Sequence, residues 1–210
     1  SGIEATKKLF LDNCNRNIIH ISTHSRMIER HNKKFSLYSL PSDEIMLAFA
    51  GAENEHYYEE FQSGYLLPSE LEYRTMDDTE LIVITACFSG DGDFDVHNGI
   101  MGFSSMLRAN GVKSGVYSLW ECGDFSAYVF MEKFYELLSI YTVGIAINET
   151  KRYMSKITVY ELKNWLIRKR KKYPQNLAIE NKIKILDGRQ NQQAKYFKYH
   201  DWSCFYLILY

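Results

Sequence analysis

The stretch Leu81–Ala86 is the part of the sequence that most constrains the fold. It is apolar and rich in β-branched side chains, and its apolar positions do not alternate with polar ones. Such a run is typical of a strand that is buried on both faces, as in a parallel sheet covered by helices. Ile18–Thr23, Gly115–Trp120 and Phe205–Tyr210 are runs of similar length. Together these runs predict an α/β sandwich around a mostly parallel sheet, with an edge of the Gly115–Trp120 strand exposed.

Helical patterns separate these strands. Apolar residues from Ala127 to Leu138 follow the spacing of one helix face, and Asp124 or Ser126 is placed to cap that helix. A second helix is predicted over Gly99–Asn110, where the following glycine ends it.

A third helix is predicted in the last third of the chain. Thr158 and Glu161 have the spacing of a capping box, and the helix is expected to run to about Lys172. The basic run Arg168–Lys172 is interpreted as the end of this helix, where cations offset the helix macrodipole and stay solvated. The polar stretch Tyr173–Lys195 is predicted to be a surface insertion.

Composition limits the classes of partner. The 210 residues suit one domain over 1–210, and 25 Lys and Arg residues against 26 Asp and Glu give a formal net charge of −1. No basic excess is present to neutralise phosphates, so a nucleic-acid partner is not expected. No apolar run approaches the roughly 20 residues of a membrane helix, so a membrane partner is not expected either. Four irregularly spaced cysteines predict reduced thiols in a cytoplasmic protein.

Two strand ends carry residue types with reactive side chains. His24 follows the first predicted strand, and Cys87 follows the central one and precedes a glycine-containing turn. Ligands of parallel sheets bind beyond the carboxyl ends of the strands, so a thiol nucleophile and an imidazole base could meet there. The alternative is that Cys87 is a buried, inert cysteine and His24 a satisfied turn residue.

Metal and nucleotide sites have weaker support. His20 and His24 would share one face of a strand but lie too far apart for easy joint ligation. Gly90–Asp93 resembles the opening of a calcium loop without the later ligands, and no phosphate-binding loop is present. No cofactor is therefore expected.

Several sequence blocks, taken in order, resemble those of CHAT domains, the caspase-like and separase-related cysteine peptidases of clan CD. The main blocks are Ile18–Ser25, Leu81–Gly90 and Ser118–Trp120. Smaller blocks agree in the same order, and they are Glu4–Thr6, Leu47–Ala52, Gly99–Phe103, Phe134–Tyr135 and His200–Phe205.

The resemblance implies a caspase-like three-layer sandwich and a catalytic dyad. Cys87 matches the nucleophile of the family, and His24 matches its general acid and base. The backbone N–H groups of Ser25 and Cys87 match the donors that bind the oxyanion of the transition state. The implied activity is that of a cysteine endopeptidase, in a bacterial regulatory or defence system and without a cofactor.

The resemblance also implies substrate-binding residues. Ser118 and Trp120 match the strand that pairs with an extended peptide, and Asp124 matches an acid at the floor of the first specificity pocket. A carboxylate there would favour cleavage after Lys or Arg. The alternatives are a helix cap for Asp124, core packing for Trp120 and an ordinary strand position for Ser118.

Three features depart from the family pattern. Ser25 replaces a usual glycine after the histidine, and Phe88-Ser89 replaces the usual small and acidic residues after the cysteine. Caspase-like folds also place two strands before the histidine strand, where this chain has only a helix-sized segment, Gly2–Cys14. A separate N-terminal fragment, or a helical-repeat regulator, is therefore an expected partner besides the protein or peptide substrate.

Two other functions remain open. A blocked cleft would leave a catalytically inactive module that only binds an extended peptide. A thiol-dependent acyltransferase or amidase acting on a small molecule is the second alternative.

Overall fold

The computed structural model describes residues 2–27, 45–52, 64–86, 96–120 and 122–210, with only the backbone described for 27 and 96–101. The chain divides into two compact units, Ser1–Cys122 with Cys204–Tyr210, and Gly123–Ser203. The strands of the first unit are β1 (Ile18–Ser22), β2 (Ser25–Met27), β3 (Ile45–Ala48), β4 (Tyr65–Leu66), β5 (Leu81–Thr85), β6 (Ser114–Ser118) and β7 (Phe205–Leu209). Its α-helices within the described residues are α1 (Lys7–Asp12) and α2 (Val96–Ala109).

The central sheet has the strand order β1-β5-β6-β7. The first three strands are parallel, and β7 is antiparallel to β6. Leu81, Ile82, Val83 and Ile84 are almost fully buried, because helices and loops cover a parallel sheet on both faces. The predicted fold class is therefore confirmed: the chain is a mixed α/β structure with a mostly parallel central sheet.

The expected exposed edge at the Gly115–Trp120 strand is wrong. Strand β6 lies between β5 and β7, and all five of its residues are buried. Within the described part of the chain, β1 and β7 are the edge strands of this sheet. The strand predicted over Phe205–Tyr210 is the one that covers β6.

A second, antiparallel sheet follows directly from the first. The chain leaves β1 at Ser22 and enters β2 at Ser25, and β2 pairs with β3, which pairs with β4. The apolar side chains of Ile45, Leu47 and Leu66 are almost fully buried in the same core cluster as Ile82. The short link between β1 and β2 is therefore held between two sheets.

The second unit is helical. Its helices are α3 (Asp124–Leu138), α4 (Val143–Met154), α5 (Val159–Lys172), α6 (Leu177–Asp187) and α7 (His200–Ser203). The predicted capping box is confirmed, because Thr158 Oγ1 accepts from Glu161 N and Glu161 Oε2 accepts from Thr158 N. The cap predicted for α3 is wrong: Gly123 is its N-cap, and Asp124 lies in the first turn.

The stretch Tyr173–Lys195 contains a helix with its own apolar face. Ile179, Ile183 and Leu186 of α6 are buried, at the spacing of one helix face. That this stretch is an insertion relative to related proteins stays a prediction. Within the described residues, no helix has the length and apolar content needed to cross a membrane.

Candidate functional site

His24 lies in the two-residue link between β1 and β2, and hydrogen bonds fix this link on both sides. Thr23 N donates to Thr85 O of β5 at 3.2 Å, and Ala48 N of β3 donates to His24 O at 2.9 Å. The Thr23 hydroxyl also donates to the carbonyl oxygen of Ala48. The backbone of His24 is therefore held at the carboxyl end of β1, while the residue itself is exposed.

Cys87 lies outside the described residues, which reach Ala86 on this segment. The register of the preceding residues is described: β1 and β5 are adjacent parallel strands, and Ser22 is opposite Thr85. In sequence, His24 is two residues after Ser22, and Cys87 is two residues after Thr85, the partner of Ser22. Neighbouring strands lie about 4.8 Å apart, so β1 and β5 end side by side.

A cavity of about 1180 Å³ borders His24. Eight consecutive residues, Ile19 to Arg26, line it. Because successive side chains of a strand point to opposite faces, a cavity on one face would be lined by alternate residues only. The cavity therefore follows the open edge of β1. The other lining residues come from the N-terminal segment and the second sheet, and they are Gly2, Ala5, Thr6, Leu9, Phe10, Ala48, Phe49, Ala50, Gly51, Ala52 and Tyr65.

The described lining of this cavity contains one basic side chain. Arg26 is the one Lys or Arg among the described lining residues, and no Asp or Glu is among them. The His20 ring nitrogen Nε2 lies 3.4 Å from Thr85 Oγ1. Burial lowers the pKa of His20, because desolvation by the surrounding protein disfavours the imidazolium. Among the described residues, no group of three or more His, Cys, Asp or Glu side chains could hold a metal ion.

Ser25, a predicted oxyanion donor, is the first residue of β2 and lies opposite Leu47. Hydrogen-bonded and non-hydrogen-bonded pairs alternate along an antiparallel ladder. Ala48 N donates to His24 O, so His24 and Ala48 form a hydrogen-bonded pair. The neighbouring pair, Ser25 and Leu47, is therefore a non-hydrogen-bonded pair. The N–H of Ser25 is therefore directed away from β3.

Ser118, predicted to bind substrate, is the last residue of β6 and only 3% exposed. Its backbone is opposite Phe205 of β7, and its hydroxyl donates to Ala86 O at 2.6 Å. These contacts hold the residue that precedes Cys87. Trp120 follows two residues later and is half-buried. The substrate-binding roles of Ser118 and Trp120 stay predictions.

Asp124, the predicted specificity residue, belongs to the helical unit and is exposed. As a first-turn residue of α3, its carboxylate favourably faces the positive end of the helix dipole. Its role in substrate selection stays a prediction.

The three cysteines among the described residues are free thiols and differ in access. Cys14 and Cys204 are buried, and Cys122 is half-buried. Burial raises the pKa of Cys14, so its thiolate is disfavoured at neutral pH. They are natural controls for the reactivity of Cys87.

The fold and the position of His24 define a caspase-like α/β domain. A family model described as CHAT domain matches residues 1–209, so the chain belongs to the CHAT domain family, which is related to caspase-like peptidases. The predicted resemblance is confirmed. A search of curated proteins finds no match to this chain.

Sequence reasoning missed the long-range contacts that build the site. The bond from Thr23 to Ala48 and the lining of the cavity by Phe10 and Phe49 join segments far apart in sequence. Nothing in the local pattern of these residues indicates such partners, because they are set by the order of the strands.

Proposed function

We propose that the chain is a cysteine endopeptidase with Cys87 as nucleophile and His24 as general acid and base. The observation that supports this most directly is the register of β1 and β5, in which both residues follow the Ser22–Thr85 pair by two positions. Membership of the CHAT domain family adds to it. The end of the cavity at His24 provides space for a substrate.

In the proposed reaction, His24 takes the proton of Cys87, and the thiolate attacks the carbonyl carbon of the scissile bond. The N–H groups of Ser25 and Cys87 donate to the oxyanion of the tetrahedral intermediate. His24 then protonates the leaving amine as the C–N bond breaks, which leaves a thioester on Cys87. Water, deprotonated by His24, hydrolyses the thioester and restores the thiol.

The proposal includes cleavage after Lys or Arg. Asp124 would form a charge-assisted contact with that side chain, and Ser118 and Trp120 would contact the peptide next to it. It also includes a role in a bacterial regulatory or defence system, which rests on the family resemblance alone.

A separate polypeptide segment is the proposed partner at β1. Within the described residues no strand pairs with β1 on the side away from β5, and the side chain of Ile18 is 46% exposed there. An unpaired edge with exposed apolar residues is a template for a further strand. Intact-mass measurement on a native preparation tests this part: a second chain is expected, and a stable lone monomer of 24.6 kDa would contradict it.

An electrophilic peptide with Arg before its reactive carbonyl tests the activity. We expect covalent labelling of Cys87 and not of Cys14, Cys122 or Cys204, and loss of labelling in Cys87→Ala and His24→Ala. Cys122→Ser is the matched control, because Cys122 is the least buried of the other described thiols.

Three results distinguish the alternatives. Peptide binding without labelling would identify an inactive interaction module. Labelling without cleavage of any peptide library would favour the acyltransferase or amidase. Full peptide cleavage by Cys87→Ala would reject the dyad, because the two residues act as a unit.

A further inference from the structure

The helical unit carries most of the positive charge of the chain. Of the 25 Lys and Arg residues, 15 fall within Gly123–Ser203, against 8 of the 26 Asp and Glu. This unit has a formal net charge of +7, and the remaining 10 basic and 18 acidic residues give −8. The net charge of −1 for the whole chain is the sum of these two opposite values. The net charge of the whole chain therefore does not indicate which partners the helical unit binds.

Five aromatic rings that are not buried lie on or beside helices α3 and α5 of the helical unit. The rings of Phe125 and Tyr196 have centroids 6.0 Å apart, and those of Tyr128 and Trp165 are 5.7 Å apart. Phe125 and Tyr128 are three residues apart on α3 and so share one face of that helix. Tyr173, at the end of α5, adds an exposed ring with Lys172 Nζ 5.3 Å from its centroid.

A cation lies over four of these rings. Lys182 Nζ is 4.1 Å from the ring centroid of Phe125, and the guanidinium of Arg189 is 4.7 Å from that of Tyr196. Attraction between a cation and a ring face within about 6 Å favours this arrangement. We name these residues the aromatic–basic strip. Its members are Phe125, Tyr128, Trp165, Lys169, Lys172, Tyr173, Lys182, Arg189 and Tyr196, with Lys169 and Lys172 each 5.3 Å from the ring centroids of Trp165 and Tyr173.

The strip is partly exposed and only partly neutralised. Lys172, Tyr173 and Arg189 are exposed, and its other members are half-buried. Lys169 pairs with Glu132, whereas Lys172, Lys182 and Arg189 form no ion pair with the described residues. Asp124 is the acidic neighbour of Phe125 in sequence. The macrodipole of α5 explains why basic residues end that helix, but it does not explain the aromatic rings beside them.

We propose that the aromatic–basic strip binds single-stranded nucleic acid. Proteins that bind single strands without sequence preference combine cations for the phosphates with aromatic rings on which bases stack. Lys and Arg side chains are flexible, so their cations can move from the ring faces to phosphates as bases take their place. An acidic polypeptide would bind the cations of the strip but would not require its aromatic rings.

Fluorescence anisotropy of labelled oligouridylate and oligothymidylate tests the proposal on the full chain. We expect dissociation constants of about 1–100 µM at physiological salt, with a logarithmic salt slope of about −0.7 for each phosphate contact. The double variant Lys182→Gln/Arg189→Gln should weaken binding about tenfold and reduce that slope. The matched control is Arg152→Gln/Lys156→Gln, which removes one Arg and one Lys of the same unit away from the strip.

A second variant separates stacking from charge. Tyr173→Leu leaves the net charge unchanged at an exposed position, and it should weaken binding about fivefold or more through lost base stacking. Far-ultraviolet circular dichroism verifies that each variant is folded.

The proposal is overturned if wild-type protein does not change the anisotropy, or if both double variants weaken binding equally. Competition by polyglutamate as effective as that by the oligonucleotides would also overturn it. That result would assign the surface to acidic polypeptides.

Discussion

Replacement of Ser118 by alanine tests how the sheet holds the proposed nucleophile. The Ser118 hydroxyl donates to Ala86 O at 2.6 Å in a buried position, and Ala86 precedes Cys87. Ser118→Ala leaves that carbonyl without this donor. Loss of a buried neutral hydrogen bond with an acceptor left behind costs about 1–2 kcal/mol. Urea unfolding followed by circular dichroism measures this change in the free energy of unfolding.

The same strand offers a matched control. Ser114, at the other end of β6, donates to Glu80 O at 2.6 Å and is 5% exposed. Ser114→Ala therefore removes an equivalent bond, and we expect a similar loss of about 1–2 kcal/mol. Glu80 lies just before β5, whereas Ala86 lies just after it, on the side of Cys87. A general loss of stability would therefore change the labelling of Cys87 equally in Ser118→Ala and Ser114→Ala.

Labelling of Cys87 by the electrophilic peptide then separates the roles of Ser118. If Ser118 positions the nucleophile, Ser118→Ala lowers the maximal labelling rate and leaves the affinity for the peptide unchanged. Ser114→Ala changes neither the labelling rate nor the affinity. If Ser118 contacts the substrate, as the family resemblance implies, the affinity falls instead. Equal labelling by both variants and the wild-type protein would refute both roles.

Three further predictions concern other contacts. Thr23→Val should slow labelling of Cys87 because it removes the hydroxyl that binds Ala48 O, and Thr23→Ser should restore it; equal rates would exclude a positioning role. Lys7→Met should cost about 3 kcal/mol in urea unfolding, because it leaves the Glu70 carboxylate unpaired at 13% side-chain exposure; Glu70→Gln in the same chain should recover part of this. Burial raises the pKa of Tyr153 to about 12, so the unfolded chain loses its phenol proton first and stability should fall as pH rises from about 10 to 12; Tyr153→Phe should flatten that decline.

Strand β5 could be predicted because its composition reflects its burial. Leu81–Thr85 carries apolar side chains on both faces, and a covered parallel sheet suits such a strand. Helix α4 has a weaker pattern: its buried positions include Ala146 and Thr150, whose side chains give little apolar signal. The two-residue strand β4 is too short for any periodicity.

The order of the strands could not be predicted, and this is why the exposed edge expected at the Gly115–Trp120 strand is wrong. A composition that suits β6 as an edge strand also suits it as an interior strand, and the antiparallel partner β7 follows some ninety residues later. The capping of α3 has a similar cause. Asp124 and Gly123 are both acceptable N-caps, and the choice depends on the backbone path that enters the helix.

The reactive residues of the candidate site could be predicted from the sequence, but the contacts that position them could not. Cys87 and His24 follow two strands of the same kind, and the general rule for parallel sheets puts both at one edge. The structure adds the register, which removes the freedom to slide β1 along β5. A shift by one residue would turn every side chain of β1 to the opposite face, including buried Ile21. The burial of Ile21 in the core therefore also fixes the position along β5 at which His24 leaves the sheet. A core substitution at residue 21 should then change the rate at which Cys87 is labelled, although this residue has no proposed role in the reaction.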